Sequence, residues 1–123
     1  MYSLEEVKER LEPIIEKYRD DLEFLGVFGS VARGENTEES DIDLFYEFDN
    51  VDKFCDFIDD IEETFKDTKV DLVPITNALR EKNEFIYKYW IKGSVILHET
   101  ERFSTTVKNE GLLDRYKEIP NYS

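Results

Sequence analysis

The sequence has little of what several common protein classes require. A single cysteine, Cys55, among 123 residues excludes an internal disulfide and a zinc site built from cysteines. No apolar run approaches the ~20 residues that cross a bilayer, and residues 1–6 lack the basic and apolar segments of a signal peptide. We therefore expect a cytoplasmic protein that does not enter a membrane.

Positive charge is also scarce. Lysine and arginine number 16 against 30 aspartates and glutamates, so the formal net charge is -14. A chain this acidic repels the phosphate backbone, which argues against direct nucleic-acid binding and favours small molecules with metals, or proteins, as partners. Apolar residues make up 40% of the chain and include nine phenylalanines and seven tyrosines, enough to build one buried core.

Glycine and proline are too few, at five and three, to indicate a flexible linker, and no repeat or low-complexity tract divides the chain. The spacing of apolar residues predicts alternating helices and strands. Helices are predicted at 4–19, 51–65 and 79–90, with a short one at 112–116, and strands at 22–28, 41–48, 69–75 and 94–98. This alternation predicts an α/β or α+β fold, a small mixed β-sheet covered by helices.

Three of the five glycines lie in the segment 26–34, where Gly29 and Ser30 follow a predicted strand. A helical turn through Arg33 would aim free backbone N–H groups at one position beyond the strand and form an anion site. Gly29 lets a phosphate approach the backbone, Ser30 donates a hydrogen bond, and Arg33 adds a charged fork. Glycine-serine turns are common, so this pattern alone is a weak indication of phosphate binding.

Two aspartates at the start of the next strand strengthen that indication. Asp41 and Asp43 point to the same face of a strand, so their carboxylates lie close together and repel unless a cation lies between them. Asp71 supplies a third carboxylate within an apolar strand, where an idle charge is costly. Mg²⁺ is commonly held by such carboxylates together with substrate phosphates. The sequence therefore predicts a metal site at Asp41 and Asp43, joined by Asp71 if its strand is adjacent.

Other interpretations of the acidic residues are weaker. Thirteen acidic residues lie in the segment 35–63, and most of them are expected on a solvated face. A calcium loop of the EF-hand type is poorly supported because Tyr46 occupies the glycine position three residues after Asp43. A P-loop is excluded because the Gly-Lys-Ser or Gly-Lys-Thr ending is missing.

The complete pattern resembles a known family signature. Gly29-Ser30, ten intervening residues, Asp41-Ile42-Asp43 and a later carboxylate at Asp71 resemble the signature of the DNA polymerase beta-type nucleotidyltransferase superfamily. The similarity is strongest to its short single-domain branch, the minimal nucleotidyltransferases. The segments that match this branch are 29–34, 40–44 and 92–99.

The resemblance also suggests how the chain is divided. It covers residues 1–100, which we interpret as a minimal nucleotidyltransferase domain. Residues 101–123 go beyond the usual end of the short family and are interpreted as a C-terminal extension with a short helix. A partner-docking tail, a helix packed on the core and the mark of a sub-branch with another acceptor are all open roles for this extension.

The resemblance implies a palm-like fold and a role for each site residue. Gly29, Ser30 and Arg33 would bind the triphosphate of ATP. The paired aspartates, Asp41 and Asp43, would hold two Mg²⁺ ions. The carboxylate of residue 71 would complete the metal site that activates the acceptor hydroxyl.

The resemblance further implies an activity and a partner. Minimal nucleotidyltransferases are often paired with a HEPN-domain toxin, which they silence by transferring AMP from ATP to a tyrosine hydroxyl. The chain is therefore expected to be a Mg²⁺-dependent enzyme and an antitoxin. Two alternatives stay open: a binding module that blocks its partner without catalysis, and a nucleotidyltransferase whose acceptor is an RNA 3′-hydroxyl or a small molecule.

Several other residues are expected to have mainly structural roles. Cys55 is expected in the core, and His98 at the surface or sheet edge rather than as a catalytic base. Phe85, Tyr87, Tyr89 and Trp90 are interspersed with lysines and have the composition of a base-stacking surface. For Phe85 and Trp90 the sequence favours packing against the sheet.

Overall fold

The computed structural model describes residues 1–122, and within this range no helix is both long enough and apolar enough to span a bilayer. Its α-helices are α1 (Leu4–Lys17), α2 (Gly29–Arg33), α3 (Phe54–Thr64), α4 (Ile75–Arg80), α5 (Glu84–Ile86), α6 (Glu101–Asn109) and α7 (Leu113–Tyr116). Its strands are β1 (Leu22–Phe28), β2 (Ile42–Phe48), β3 (Val70–Pro74) and β4 (Val95–Glu99). A 3₁₀ turn (Val51–Lys53) and a π-helix (Tyr87–Ile91) lie between them.

The strands form one sheet in the order β3-β2-β1-β4. β1 runs antiparallel to both of its neighbours, whereas β2 and β3 are parallel. Helices cover both faces of this sheet. The mixed α/β fold predicted from the alternation of helices and strands is confirmed.

The start of α1 follows from a local capping pattern. The Ser3 side chain accepts a hydrogen bond from the backbone N–H of Glu6 at 3.1 Å, and the Glu6 carboxylate accepts one from the backbone N–H of Ser3 at 3.3 Å. Val7 and Leu11 lie on the buried face of the helix. The helix ends at Lys17, slightly before the predicted boundary at residue 19.

The sheet separates two apolar cores. α1 and α3 cover one face, and α4, the π-helix, α6 and α7 cover the other. On this second face Phe28 stacks on Phe45 with ring centroids 4.0 Å apart. Phe103 and Tyr116 of the C-terminal segment are buried in the same core. Residues after position 100 therefore cover a sheet face that would otherwise be exposed.

Helix α6 was not predicted from the sequence. Its buried side chains are Phe103 and Val107, which are one turn apart and too sparse to give a clear helical period. The helix begins at a local signal, because the Thr100 hydroxyl accepts a hydrogen bond from the backbone N–H of Phe103 at 3.1 Å. The short helix predicted at 112–116 is present as α7.

The prediction of one continuous helix at 79–90 is wrong. Helix α4 begins directly after β3, with Pro74 in an extended conformation at its N-cap, and ends at Arg80. A second start follows, because the Asn83 side chain accepts a hydrogen bond from the backbone N–H of Phe85 at 2.8 Å. The π-helix follows and ends at Ile91, which is fully buried. Asn83 was the sequence signal for this break.

The prediction of a helix at 51–65 with one buried apolar face is only partly correct. Val51 and Cys55 are exposed, so the expectation that Cys55 belongs to the core is wrong. Asn50 caps the 3₁₀ turn and accepts hydrogen bonds from the backbone N–H groups of residues 52 and 53. The α-helical phase therefore begins only at Phe54, and this leaves Phe57 and Ile61 as the buried side chains of α3.

A buried carboxylate joins β1 to the start of α6. Glu23 is only 6% exposed and lies where the register between β1 and β2 shifts, so its side chain leaves the strand's regular alternation. It accepts hydrogen bonds from the Thr100 hydroxyl at 2.7 Å and from the Arg102 guanidinium. A charge in this position needs both donors.

We expect the two partners of this ion pair to differ in their effect on stability. Removing the guanidinium in Arg102→Ala leaves a buried carboxylate short of a partner and should lower the free energy of unfolding by about 2–3 kcal/mol. Glu23→Gln leaves an arginine that is 63% exposed and hydrated, so its cost should be about 1 kcal/mol. Chemical denaturation of both variants measures the difference. Equal costs would contradict the role assigned to burial.

Candidate active site

The glycine-serine loop begins directly at the end of β1. Gly29 has a φ of 73°, which is the left-handed region that favours glycine, and it is the first residue of α2. A methyl group at Gly29 would overlap the Oδ2 atom of Asp43 and lie 3.1 Å from its Cγ atom. The absence of a side chain at Gly29 therefore lets the carboxylate of Asp43 lie against the start of the helix that carries Ser30.

The structure brings the three predicted aspartates to one edge of the sheet. Asp43 is paired across the antiparallel ladder with Phe28 and across the parallel ladder with Asp71. Paired residues of adjacent strands project on the same face. Asp41 lies one residue before β2, at the same end of the sheet. The condition set by the sequence, that the strand of Asp71 lies next to that of Asp43, is met.

The electrostatics of this edge reflect the crowding of like charges. The pKa of Asp43 is raised from 3.8 to about 6, first by burial and then by the nearby carboxylates of Asp71 and Asp41. The guanidinium of Arg33 opposes this effect by lowering the same pKa. The negative charge at Asp43 is therefore unfavourable without an added cation.

Lys69 supplies positive charge that sequence reasoning missed. Its Nζ atom lies 3.4 Å from Oδ1 of Asp71 and 3.9 Å from Oδ2 of Asp41, and its side chain is 71% exposed. The amine therefore lies across two of the three carboxylates while remaining free to move into solvent. Its position two residues before Asp71 on the same strand face was the available signal.

The donor set suits Mg²⁺, although it is not a closed cage. Within residues 1–122 no three His, Cys, Asp or Glu side chains are arranged as a ready metal cluster. Magnesium usually retains waters and takes only one or two carboxylates together with substrate phosphates, so an open set of carboxylates fits its chemistry. Asp41, Asp43 and Asp71 crowd negative charge at this edge, and the amine of Lys69 lies between two of them.

Arg33 links the loop to the segment that borders the site. Its Nε atom donates to Glu35 at 3.0 Å, and its Nη1 atom donates to the backbone carbonyl of Tyr89 at 3.3 Å. The next residue, Trp90, packs on Phe28 with ring centroids 5.1 Å apart. The π-helix therefore lies beside the residues that precede and follow Gly29.

Phe85, Trp90 and His98 were each given a position from the sequence. The packing expected for Phe85 is wrong, since this side chain is 58% exposed, whereas Trp90 packs on the sheet as expected. His98 lies on β4 with Nε2 at 3.0 Å from the backbone carbonyl oxygen of Leu22. Leu22 is at the opposite end of β1 from Gly29, so His98 is not part of this site.

A glycine-serine turn at a helix start suits a phosphate, and carboxylates on adjacent strands suit the metal that accompanies it. The chain belongs to the polymerase beta nucleotidyltransferase family, because the family model described as "Polymerase beta, Nucleotidyltransferase" matches residues 9–102. It is accordingly an enzyme of the nucleotidyltransferase type. The family and the enzyme class predicted from the sequence are confirmed.

Two relatives from Methanocaldococcus jannaschii carry the name "Putative protein adenylyltransferase". One is 42% identical over 81 residues, which cover 59% of this chain and 79% of the relative. Another is 37% identical over 95 residues, which cover 72% of this chain and 91% of the relative. The similarity therefore extends over most of the length of both relatives.

Solved structures share the fold at low sequence identity. A chain from a crystal structure of a toxin-antitoxin with AMP-PNP superposes with a TM-score of 0.55 and 17% identity, covering 89% of this chain and 83% of the other. A chain from a complex of tri-AMPylated Shewanella oneidensis HEPN toxin with MNT antitoxin gives a TM-score of 0.51 and 15% identity, covering 93% and 89%. These similarities confirm the nucleotidyltransferase fold.

Proposed function

We propose that this chain transfers AMP from ATP to a tyrosine hydroxyl of a HEPN-type toxin in the cytoplasm, in a Mg²⁺-dependent reaction, and thereby acts as an antitoxin. The observation that carries the proposal is the meeting of Asp43 and Asp71 in register beside Gly29. The names of the archaeal relatives support protein adenylylation, and the toxin-antitoxin complexes among the structural neighbours support the kind of partner.

The residues of the loop would bind and orient the triphosphate. Ser30 would donate its hydroxyl and backbone N–H to a phosphate oxygen, and Arg33 would add positive charge at the same end. Arg33 is already held in place by the Tyr89 carbonyl and by Glu35. A phosphate that replaced Glu35 as its partner would gain an ordered guanidinium, which is an electrostatic advantage for a reaction dominated by positioning.

The three carboxylates would organise the reacting atoms. Asp41, Asp43 and Asp71 would hold Mg²⁺, which would neutralise charge on the phosphates and lower the pKa of the acceptor hydroxyl. In an in-line displacement the acceptor oxygen bonds to the α-phosphorus, the bond from that phosphorus to the bridging oxygen breaks, and pyrophosphate leaves. The proton of the acceptor hydroxyl passes to solvent.

The charge of the chain supports a protein acceptor. With a net charge of -14, the surface attracts a partner with a basic surface and repels RNA phosphates. A toxin that binds RNA must itself present such a basic surface. The charge therefore favours a toxin over its RNA target as the acceptor.

Mass spectrometry tests the proposal directly. The purified chain, ATP, Mg²⁺ and the cognate HEPN toxin should yield AMP adducts on a tyrosine of the toxin. No adduct would refute the proposed reaction. Strong preference for a labelled oligonucleotide would indicate an RNA acceptor, and full neutralisation of the toxin by an Asp41→Asn, Asp43→Asn double variant would indicate a non-catalytic antitoxin.

Lys69 is expected to compete with the metal. Since its amine lies across Asp41 and Asp71, Lys69→Met should lower the Mg²⁺ concentration for half-maximal activity by about 2- to 5-fold, the range expected for an exposed ion pair. Lys66→Met, at an exposed lysine outside this cluster, is the matched control. A rise in the half-maximal concentration would show instead that Lys69 assists the reaction.

A further inference from the structure

An exposed pair of aromatic rings stands on the segment that borders the phosphate loop. Phe85 is 58% and Tyr89 is 45% exposed, and their ring centroids are 4.7 Å apart. They are four residues apart and therefore lie on one side of the helical segment. Aromatic side chains are normally buried or take part in binding, because a ring left in water forgoes the free energy of burial.

The segment that carries these rings differs in charge from the rest of the chain. Residues 80–92 contain four basic and two acidic residues, although the whole chain has a net charge of -14. No Asp or Glu of residues 1–122 lies within salt-bridge distance of Lys82, Lys88 or Lys92. The Nζ atom of Lys88 lies 5.5 Å from the centroid of the Tyr89 ring. A lysine without an acidic partner among these residues, Lys88, thus lies beside the exposed Tyr89 ring.

The ring pair is fixed to the candidate site through the backbone. The carbonyl of Tyr89 accepts a hydrogen bond from Arg33, and the adjacent Trp90 packs on Phe28, which directly precedes Gly29. The segment that carries the two rings is therefore in direct contact with the predicted phosphate-binding end of the site. A ligand with phosphates at Gly29 and Arg33 would have this segment as its neighbour.

We propose that Phe85 and Tyr89 form the platform on which the nucleobase stacks, and this inference rests on the proposed nucleotide-dependent function. A nucleotide combines a flat aromatic group with negative charge, which matches an exposed ring pair on a basic segment with Lys88 beside Tyr89. The excess of basic over acidic residues in this segment would oppose the binding of a basic partner protein here. Because stacking uses the face of the base and not its edges, the platform should bind ATP and GTP with similar affinity.

Binding measurements distinguish the contribution of the base to the affinity from that of the phosphates. Isothermal titration calorimetry with Mg²⁺ compares ATP with tripolyphosphate, which lacks a base, and fluorescence of Trp90, the single tryptophan, gives a second readout. The Phe85→Ala, Tyr89→Ala double variant should weaken ATP binding by about 10-fold or more and leave tripolyphosphate binding unchanged. Both side chains are exposed, so the variant should fold, which its thermal unfolding confirms.

Two further variants make the test specific. Tyr89→Phe keeps the ring and should bind ATP as the native chain does, and Tyr122→Ala removes a ring elsewhere, next to Lys8, and should also behave as native. ATP affinity of the double variant within about twofold of the native value would overturn the platform, as would native affinity for ATP no greater than for tripolyphosphate.

The same variants distinguish this inference from the proposed transfer reaction. Normal ATP binding by the double variant, with impaired transfer to the toxin, would assign the rings to the partner protein and overturn the inference while the proposed function stands. Weakened ATP binding together with a native chain that adenylylates no toxin would support the platform and refute the proposed acceptor.

Discussion

The Asp43→Asn variant is expected to lose nucleotidyl transfer by on the order of 10³-fold while its fold remains intact. Asp43 lies against the start of α2 and also pairs in register with Asp71. Asparagine preserves the shape of the side chain but removes the charge that would attract a cation. Steady-state transfer of AMP to the toxin measures the loss, and Asp52→Asn, at an exposed carboxylate beyond the other end of β2, is the control.

The same substitution should stabilise the chain when Mg²⁺ is absent. The folded-state pKa of Asp43 is raised from 3.8 to about 6, so the folded chain holds a proton that the unfolded chain has released. The free energy of unfolding of the native chain therefore falls as the pH rises from about 4 to about 6, and asparagine removes this loss. Because the group is only half-buried, the gain above pH 6 should be about 1–2 kcal/mol.

Adding ligand should reverse the order of stability. Mg²⁺ and ATP stabilise a chain only in proportion to their binding to the folded state, so the native melting temperature should rise with ligand while that of Asp43→Asn stays nearly constant. Thermal unfolding at pH 8 with and without Mg²⁺ and ATP checks both statements. A native chain that is already more stable than the variant without metal would contradict the assignment of Asp43 as a destabilising charge.

Gly29→Ala is expected to be the most damaging single methyl addition in the loop. Alanine is strained at the φ of 73°, and its methyl group would overlap the Asp43 carboxylate. We expect a loss of about 3 kcal/mol or more in the free energy of unfolding, together with a loss of activity on the order of 100-fold. Displacement of Asp43 from the edge of β2 is the cause expected for the second effect.

Gly34 provides the matched control for this clash. Its φ is 71°, nearly that of Gly29, but no atom lies within 4 Å of the position that a methyl group would take. Gly34→Ala should therefore cost only the backbone strain, about 1 kcal/mol. Combining Gly29→Ala with Asp43→Ala should recover part of the larger cost, because the overlapping atoms are then removed. Equal costs at the two glycines would contradict the overlap.

Local patterns in the sequence were sufficient for much of the fold. The capping pattern of Ser3 and Glu6 located the start of α1, and the alternation of Ile42, Leu44 and Tyr46 located β2. Such signals depend on residues a few positions apart, so they survive without knowledge of the tertiary structure. The break at Asn83 was also encoded locally, but the apolar residues around it gave a stronger helical pattern.

The burial of single side chains was less predictable from the sequence than the positions of the helices and strands. Cys55 has the spacing of a core residue but is exposed, because the 3₁₀ turn before α3 resets the helical phase. Glu23 reads as an ordinary strand residue but is buried, because the register of β1 shifts there and Arg102 reaches it from a distant helix. The segment of Glu23 holds no signal for Arg102, whereas the cause at Cys55 is local, since Asn50 caps the turn directly before α3.

The sequence by itself determined the chemistry of the candidate site, because residue types and their spacing in Gly29-Ser30 and Asp41-Ile42-Asp43 are covalent properties of the chain. Only the tertiary structure decided that Asp71 joins them, that Lys69 lies across the carboxylates, and that the segment of Tyr89 borders the loop. The physical reason is register: a slip of one residue between β2 and β3 would turn the Asp71 carboxylate to the opposite face of the sheet.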